Sequence, residues 1–181
     1  MKTFSLNIIT AIMIFFWGIT LVTDNFAQSV QYGVRTGIND SHKKDLDLSV
    51  FEIYLRTVPP IYSPADNFFS PLNISFEAAI GLLHDKANSA LLFSMGPSVN
   101  LISYKNIFSV STGIKPTILT NHFFNNFDLG GTLNFKSHIA ANVSPNKKII
   151  IGYRFEHISN AGLYEKNPGV NFHYIEFEYV L

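Results

Sequence analysis

The chain has no cysteine, so neither a disulfide framework nor a thiolate metal site is open to it. Nor does it carry an excess of either charge: 13 Lys and Arg balance 13 Asp and Glu. That balance removes the long-range attraction on which nucleic-acid binding depends, and no nucleic-acid partner is expected. Charged residues of both signs make up only 14% of the 181 residues, against about a quarter in soluble domains. The single tryptophan, Trp17, falls in an amino-terminal apolar segment and says nothing about the rest. No linker divides the chain, and its length suits one core. In place of charge there is aromatic surface, with Phe alone occurring 17 times.

The amino terminus has the layout of a secretory leader: Lys2, an apolar run from Ile8 to Val22, and the small Ala27 before Gln28. Residues 1–27 are expected to be cleaved and residues 28–181 to form the mature domain. Asn25 departs from the small-residue rule, and the competing reading is a retained membrane helix, for which the run is nearly long enough. Beyond it no continuous apolar stretch has the length of a spanning helix.

The mature chain alternates apolar and polar residues in segments separated by Pro, Gly and Asn, which is the pattern of strands. Eight are expected: Val30 to Gly37, Leu46 to Thr57, Leu72 to Leu83, Ala90 to Leu101, Ile107 to Leu119, Leu129 to Val143, Lys148 to Ser159 and Val170 to Leu181. The stretch from Val58 to Pro71 has no clear period. Several segments have the length of a tilted strand crossing a bilayer. In the seventh, Ile149, Ile151, Tyr153 and Phe155 share one face, opposite Gly152, Arg154 and Glu156; in the eighth, Ile175, Phe177, Tyr179 and Leu181 oppose Glu176 and Glu178. A membrane barrel turns the apolar set outward, and a secreted soluble barrel or sandwich turns it inward. The leader, the aromatic load and the apolar last residue favour an all-β, eight-stranded antiparallel transmembrane barrel of the bacterial outer membrane. Closure leaves no backbone edge unpaired, as hydrocarbon requires. With the amino terminus in the periplasm, the seventh strand ends near the outer leaflet.

At that end His157 and Ser159 stand at i and i+2, on one face of a strand. Parity places them with Ile149 and Ile151, facing lipid. If the following hairpin is centred near Tyr164, Asn171 pairs across from His157 on the same surface, with His173 beyond it. Such a set supports acyl transfer: the imidazole takes the serine proton and a third group fixes its tautomer. Backbone amides around Asn160, Ala161 and Gly162 could form an oxyanion hole. The bland reading of His-x-Ser is an interfacial histidine and a loop-capping serine.

The run His157-Ile158-Ser159-Asn160-Ala161-Gly162-Leu163, with Asn167 downstream, resembles the His-x-Ser-Asn-Ala-Gly signature and following Asn of the outer-membrane lipid A 3-O-deacylases, the PagL family of acyloxyacyl hydrolases. The likeness extends more weakly upstream through Leu133-Asn134-Phe135. It implies hydrolysis of the ester-linked acyl chain at the 3-position of lipid A, with lipopolysaccharide as substrate, an integral outer-membrane location, and neither metal nor cofactor. By the same resemblance Ser159 is the nucleophile, His157 the general base, Asn160 and Asn167 shape the oxyanion hole, and Phe135 packs near the catalytic surface. The family's third triad member is a glutamate where this chain has Asn171. Either Asn171 orients His157, or Glu165 in the loop supplies the acid, or the enzyme is slow or inactive; parity sends Glu156 and Glu176 to the lumen. A non-catalytic structural or adhesive barrel and an outer-membrane phospholipase are the alternatives in function. His42-Lys43-Lys44 reads as a solvated loop rather than a phosphate site, and His122, His138 and His173 lack metal-site spacing.

Overall fold

The computed structural model describes residues 29–40, 46–58, 73–105, 107–125 and 127–181. The expected leader, the His42-Lys43-Lys44 run and residues 59–71 of the aperiodic stretch lie outside the described residues.

Ten strands are present among them: β1 (Ser29–Asn39), β2 (Ser49–Val58), β3 (Asn73–His84), β4 (Ser89–Tyr104), β5 (Phe108–Leu119), β6 (Phe123–Phe124), β7 (Phe127–Asp128), β8 (Leu133–Val143), β9 (Ile149–Ser159) and β10 (Val170–Val180). Eight of them close into an antiparallel barrel in the order β1-β10-β9-β8-β5-β4-β3-β2, while β6 and β7 form a separate two-stranded ladder. The eight barrel strands are those expected from alternation, with shifted ends: the second starts at Ser49 rather than Leu46, and the fourth runs on to Tyr104 rather than ending at Leu101. The sixth segment starts at Leu133 rather than Leu129, because Gly130 adopts φ +91° and breaks the extended chain. Among the described residues no helix is long and apolar enough to cross a membrane.

Side chains divide by parity along the barrel strands, except where β4 shifts register between Asn100 and Ile102 and leaves Leu101 and Ile102 both exposed. Ile38, Phe51, Met95, Ile114, Ile139, Ile151, Tyr153, Ile175 and Phe177 are exposed on the outer wall. Their neighbours in sequence fill the lumen. Such an inside-out arrangement suits a hydrocarbon surround and would be untenable in water.

The lumen is layered. Its middle holds five cations, Arg35, Arg56, Lys115, Lys136 and Arg154, and five carboxylates, Glu52, Glu77, Glu156, Glu176 and Glu178, all buried. Glu77 accepts from Arg35 at 2.8 Å, Arg56 at 2.8 Å, Lys115 at 2.6 Å and Arg154 at 3.3 Å. Glu52 bridges Arg35 and Lys136, Glu176 takes Arg154 at 2.9 Å, and Glu178 takes Arg56 at 2.8 Å. Equal numbers and multiple partners meet the condition under which buried charges are tolerated. At the end where β9 finishes, the lumen becomes apolar: Leu48, Leu83, Leu92, Leu119, Phe124, Leu129, Ile158, Val170 and Phe172 pack together. This plug lies behind the wall that carries His157 and Ser159.

Candidate active site

The β9–β10 hairpin pairs Ile158 with Val170, His157 with Asn171 and Phe155 with His173. Asn171 therefore stands directly across from His157, as the hairpin length predicts. Its Oδ1 lies 2.7 Å from His157 Nδ1. A carboxamide oxygen only accepts, so Nδ1 carries the ring proton and Nε2 keeps its lone pair. The Nε2 edge lies against Gly169, where an added Cβ would stand 2.7 Å from Cε1 and 3.1 Å from Nε2. Gly169 has φ +55°, so glycine serves both the turn and the ring.

Ser159 shares the outer face with His157, and both are half-buried. On the other side β8 places Phe135 across from Ser159 and Ser137 across from His157. Among the described residues the Ser159 hydroxyl makes no hydrogen bond, so it has no partner to lose on turning toward Nε2. Lower on the face, Tyr153 Oη and His173 Nδ1 share a 2.6 Å hydrogen bond, and His173 packs on Phe155 with ring centres 5.3 Å apart.

The loop after Ser159 is held by Asn160, which is fully buried. Its Oδ1 accepts from Gly162 N–H at 2.9 Å, and its Nδ2 donates to Lys166 O at 2.6 Å and to Leu129 O at 3.3 Å. Its backbone N–H donates to Asn167 Oδ1 at 3.1 Å. Of the amides near Ser159, those of Asn160 and Gly162 are thus engaged. The Ala161 N–H has no acceptor among the described residues, and Ala161 sits at φ +54°.

A second loop braces the first. A Cβ on Gly130 would meet Lys166 O at 2.1 Å, and one on Gly131 would meet the Tyr164 ring at 2.2 Å. The Tyr164 hydroxyl accepts from Leu133 N–H at 3.2 Å. This bracing loop carries the β6–β7 ladder, in which His122 Nδ1 lies 2.7 Å from Asp128 Oδ1 and Gly130 N–H donates to the same oxygen at 2.8 Å. Desolvation pushes the Asp128 carboxyl up, but the hydrogen bonds from His122 and Gly130 together with the nearby positive charge prevail and hold it below its ordinary value.

The register brings His157, Ser159, Asn171 and Phe135 onto one surface, and Asn160, Ala161, Gly162 and Asn167 onto the loop beside it. Glu165 is exposed on that loop and makes no hydrogen bond or ion pair among the described residues. Glu156 and Glu176 are buried in the lumen, behind the wall. The bracing roles of Gly130, Gly131, Tyr164 and Leu129 escaped the sequence reading. The Gly130-Gly131 pair was their one visible signal, since adjacent glycines mark a break in a strand. Among the described residues no group of His, Asp and Glu could hold a metal ion.

Residues 17–180 match the family model for lipid A 3-O-deacylase (PagL). The lipid A deacylase PagL of Bordetella bronchiseptica is 31% identical over 72 residues, a stretch that covers 40% of this chain and 40% of that protein. The crystal structure of the outer membrane enzyme PagL aligns with a TM-score of 0.69 at 17% identity, over 82% of this chain and 97% of that one. A de novo designed transmembrane β-barrel aligns at 0.56 with 11% identity, over 86% and 97%. At these identities the two structural likenesses are likenesses of fold, and they fit an outer-membrane barrel. The family match, by contrast, runs through all eight barrel strands and the His157 to Asn171 hairpin, and on it the chain belongs to the lipid A 3-O-deacylase (PagL) family.

Proposed function

We propose that this protein removes the ester-linked acyl chain at the 3-position of lipid A, with Ser159 as nucleophile, His157 as general base and Asn171 as the group that orients the base. The observation that carries this reading is the 2.7 Å hydrogen bond from His157 Nδ1 to Asn171 Oδ1. It fixes the tautomer in which Nε2 can accept a proton, on the outer wall beside a serine.

In this reaction Ser159 turns its hydroxyl toward Nε2. As Oγ attacks the ester carbonyl, its proton passes to the imidazole. In this reading the Ala161 N–H, which has no acceptor among the described residues, donates to the oxyanion, and the Asn167 side chain, held through Oδ1, adds its Nδ2. Asn160 and Gly162 hold the loop in the shape this needs. Collapse of the tetrahedral intermediate expels the sugar hydroxyl, which takes the proton from the imidazolium. Water, deprotonated by the same imidazole, then releases the fatty acid from Ser159. Phe135, across from Ser159, lines the wall on which the departing acyl chain would lie. A serine–histidine route uses neither metal nor cofactor. The site is read at the outer leaflet, with residues 1–27 removed as a leader.

The test is mass spectrometry of lipid A from cells expressing the intact protein or Ser159→Ala. The intact protein is expected to shift lipid A by the mass of one hydroxyacyl chain, and Ser159→Ala to leave it unshifted. An unchanged acyl pattern with folded intact protein in the membrane overturns the reading. Purified protein offered glycerophospholipid in parallel is expected to leave it intact.

A further inference from the structure

We infer that Asp128 is a positioning residue for the oxyanion side of the site: it folds the β6–β7 loop against Asn160 and so sets the backbone that follows Ser159. The inference rests on the reading of Ser159 as nucleophile with the Ala161 N–H as oxyanion donor.

Asp128 organises its own loop first. Its Oδ1 accepts from Gly130 N–H at 2.8 Å and lies 2.7 Å from His122 Nδ1. His122 closes the turn a second time, because its carbonyl oxygen accepts from Leu129 N–H at 2.8 Å. The loop is also anchored at both ends. Phe124 and Leu129 are buried in the apolar plug, and Asn134 Nδ2 donates to Gly131 O at 2.7 Å where the chain enters β8. Together these bonds fix the direction of the Leu129 carbonyl and the position of Gly130.

Those two groups are what Asn160 meets. Its Nδ2 donates to Leu129 O at 3.3 Å as well as to Lys166 O at 2.6 Å, while its Oδ1 takes the Gly162 N–H. Gly130 lies so close that a Cβ there would stand 2.4 Å from the same Nδ2 and 2.1 Å from Lys166 O. A fully buried carboxamide engaged at both ends is held in one orientation. Asn160 joins Ser159 to Ala161, so its orientation decides where the Ala161 N–H points.

The consequence is kinetic. An oxyanion donor acts on charge that develops only in the transition state, so a loop without its brace still binds lipopolysaccharide but stabilises that charge less. A brace that served the fold alone would lower stability and leave kcat where it was. The β3–β4 turn offers the comparison. There Asp85 Oδ1 accepts from Ala87 N–H at 2.7 Å, and β3 stands four strands from β9 around the barrel.

The experiment compares the intact protein with Asp128→Ala, Asp128→Asn, Asn160→Ala, the double variant Asp128→Ala/Asn160→Ala, and Asp85→Ala, all in detergent micelles. It reads kcat and KM for acyl release from lipopolysaccharide, with heat-modifiable gel migration to verify the fold. Loss of an oxyanion donor costs about 10²–10³ in kcat, and a misdirected one loses part of that. Asp128→Ala is therefore expected to reduce kcat about tenfold with KM within about twofold. Asp128→Asn keeps an oxygen that accepts from Gly130 N–H and is expected to restore most of the rate. Asp85→Ala is expected to leave kcat unchanged. Once Asn160→Ala has removed the intermediary, Asp128→Ala is expected to cost no more than about twofold. A folded Asp128→Ala protein with kcat within about twofold of its parent overturns the inference, as does a tenfold loss that persists with Asn160→Ala or is not restored by Asp128→Asn. Should Asp128→Ala not fold, His122→Phe, which removes the ring nitrogen and keeps an aromatic ring beside Phe123, is read by the same criteria with an expected loss of about threefold. If the intact protein releases no acyl chain, the proposed function falls. The NMR resonance of the Gly162 amide, assigned with Gly162→Ala, then decides the positioning: it is expected to shift in Asp128→Ala and not in Asp85→Ala, and an unmoved resonance overturns it.

Discussion

Replacing Gly169 with alanine puts a methyl group where the imidazole of His157 now lies. The added carbon would stand 2.7 Å from Cε1, whereas ordinary contact begins at 3.4 Å, so the ring must retreat by about 0.7 Å. It cannot do so freely, because Nδ1 is tied to Asn171 Oδ1 at 2.7 Å. The ring must therefore tip about that bond, and the tipping falls on Nε2, the atom that receives the serine proton. A misplacement of about 1 Å at a reacting group costs about a hundredfold in rate. The smaller displacement here predicts a loss between about tenfold and a hundredfold in kcat, with KM less affected. Separately, alanine at φ +55° costs about 1–2 kcal/mol of stability. Initial rates of fatty-acid release from lipopolysaccharide in mixed micelles measure the first effect, and heat-modifiable gel migration verifies the fold. Gly162→Ala, at φ +80° with nothing within 4 Å of its Cβ, carries backbone strain without the clash. Its loss of stability measures that strain alone. A folded Gly169→Ala protein with kcat within about twofold of the parent would refute the assignment of the Nε2 edge as the working side of the ring.

Two further outcomes concern the scaffold. Glu77→Gln removes the carboxylate shared by Arg35, Arg56, Lys115 and Arg154, leaving buried cations uncompensated at a cost of about 3–5 kcal/mol; urea unfolding in detergent should show a lower midpoint, and an unchanged one contradicts the network's role. Ile151→Lys places a charge on the outer wall, where Ile151 is 47% exposed, and should cost about 2–4 kcal/mol in a bilayer near its midplane. Equal stability of Ile151→Lys and its parent in lipid vesicles would mean that this face does not contact hydrocarbon.

The strands and their faces were legible because period-two alternation is written locally in each segment. Ile149, Ile151 and Tyr153 against Gly152, Arg154 and Glu156 needed only the choice of which side was wet. The pairing of His157 with Asn171 was also legible, since a single hairpin loop sets it. What escaped depends on two loops meeting across some thirty residues. Asn160 reads as one more residue of a short motif, yet it is a buried crosspiece whose amide reaches Leu129 and Lys166. Gly130 and Gly131 read as a blemish in a strand, and their role appears only once Lys166 and Tyr164 are laid over them. The register of the closing seam between the first and last strands was hidden for a similar reason, since no local pattern announces it.

The seam bears on how the barrel assembles. Across the charged middle of the barrel, wall and lumen are chemical opposites, so a strand joined one residue out of step would exchange them there. A slipped β2 would turn Glu52 and Arg56 toward hydrocarbon, strip one counterion from Arg35 and Lys136, which keep Glu77 and Glu156, and leave Glu178 without its partner. Each misplaced cation costs about 2–4 kcal/mol at the bilayer midplane, and each orphaned partner adds its own penalty of about 3–5 kcal/mol. Matched buried ions add little net stability over an apolar filling. Their larger consequence is for register, since an out-of-step pairing forfeits them.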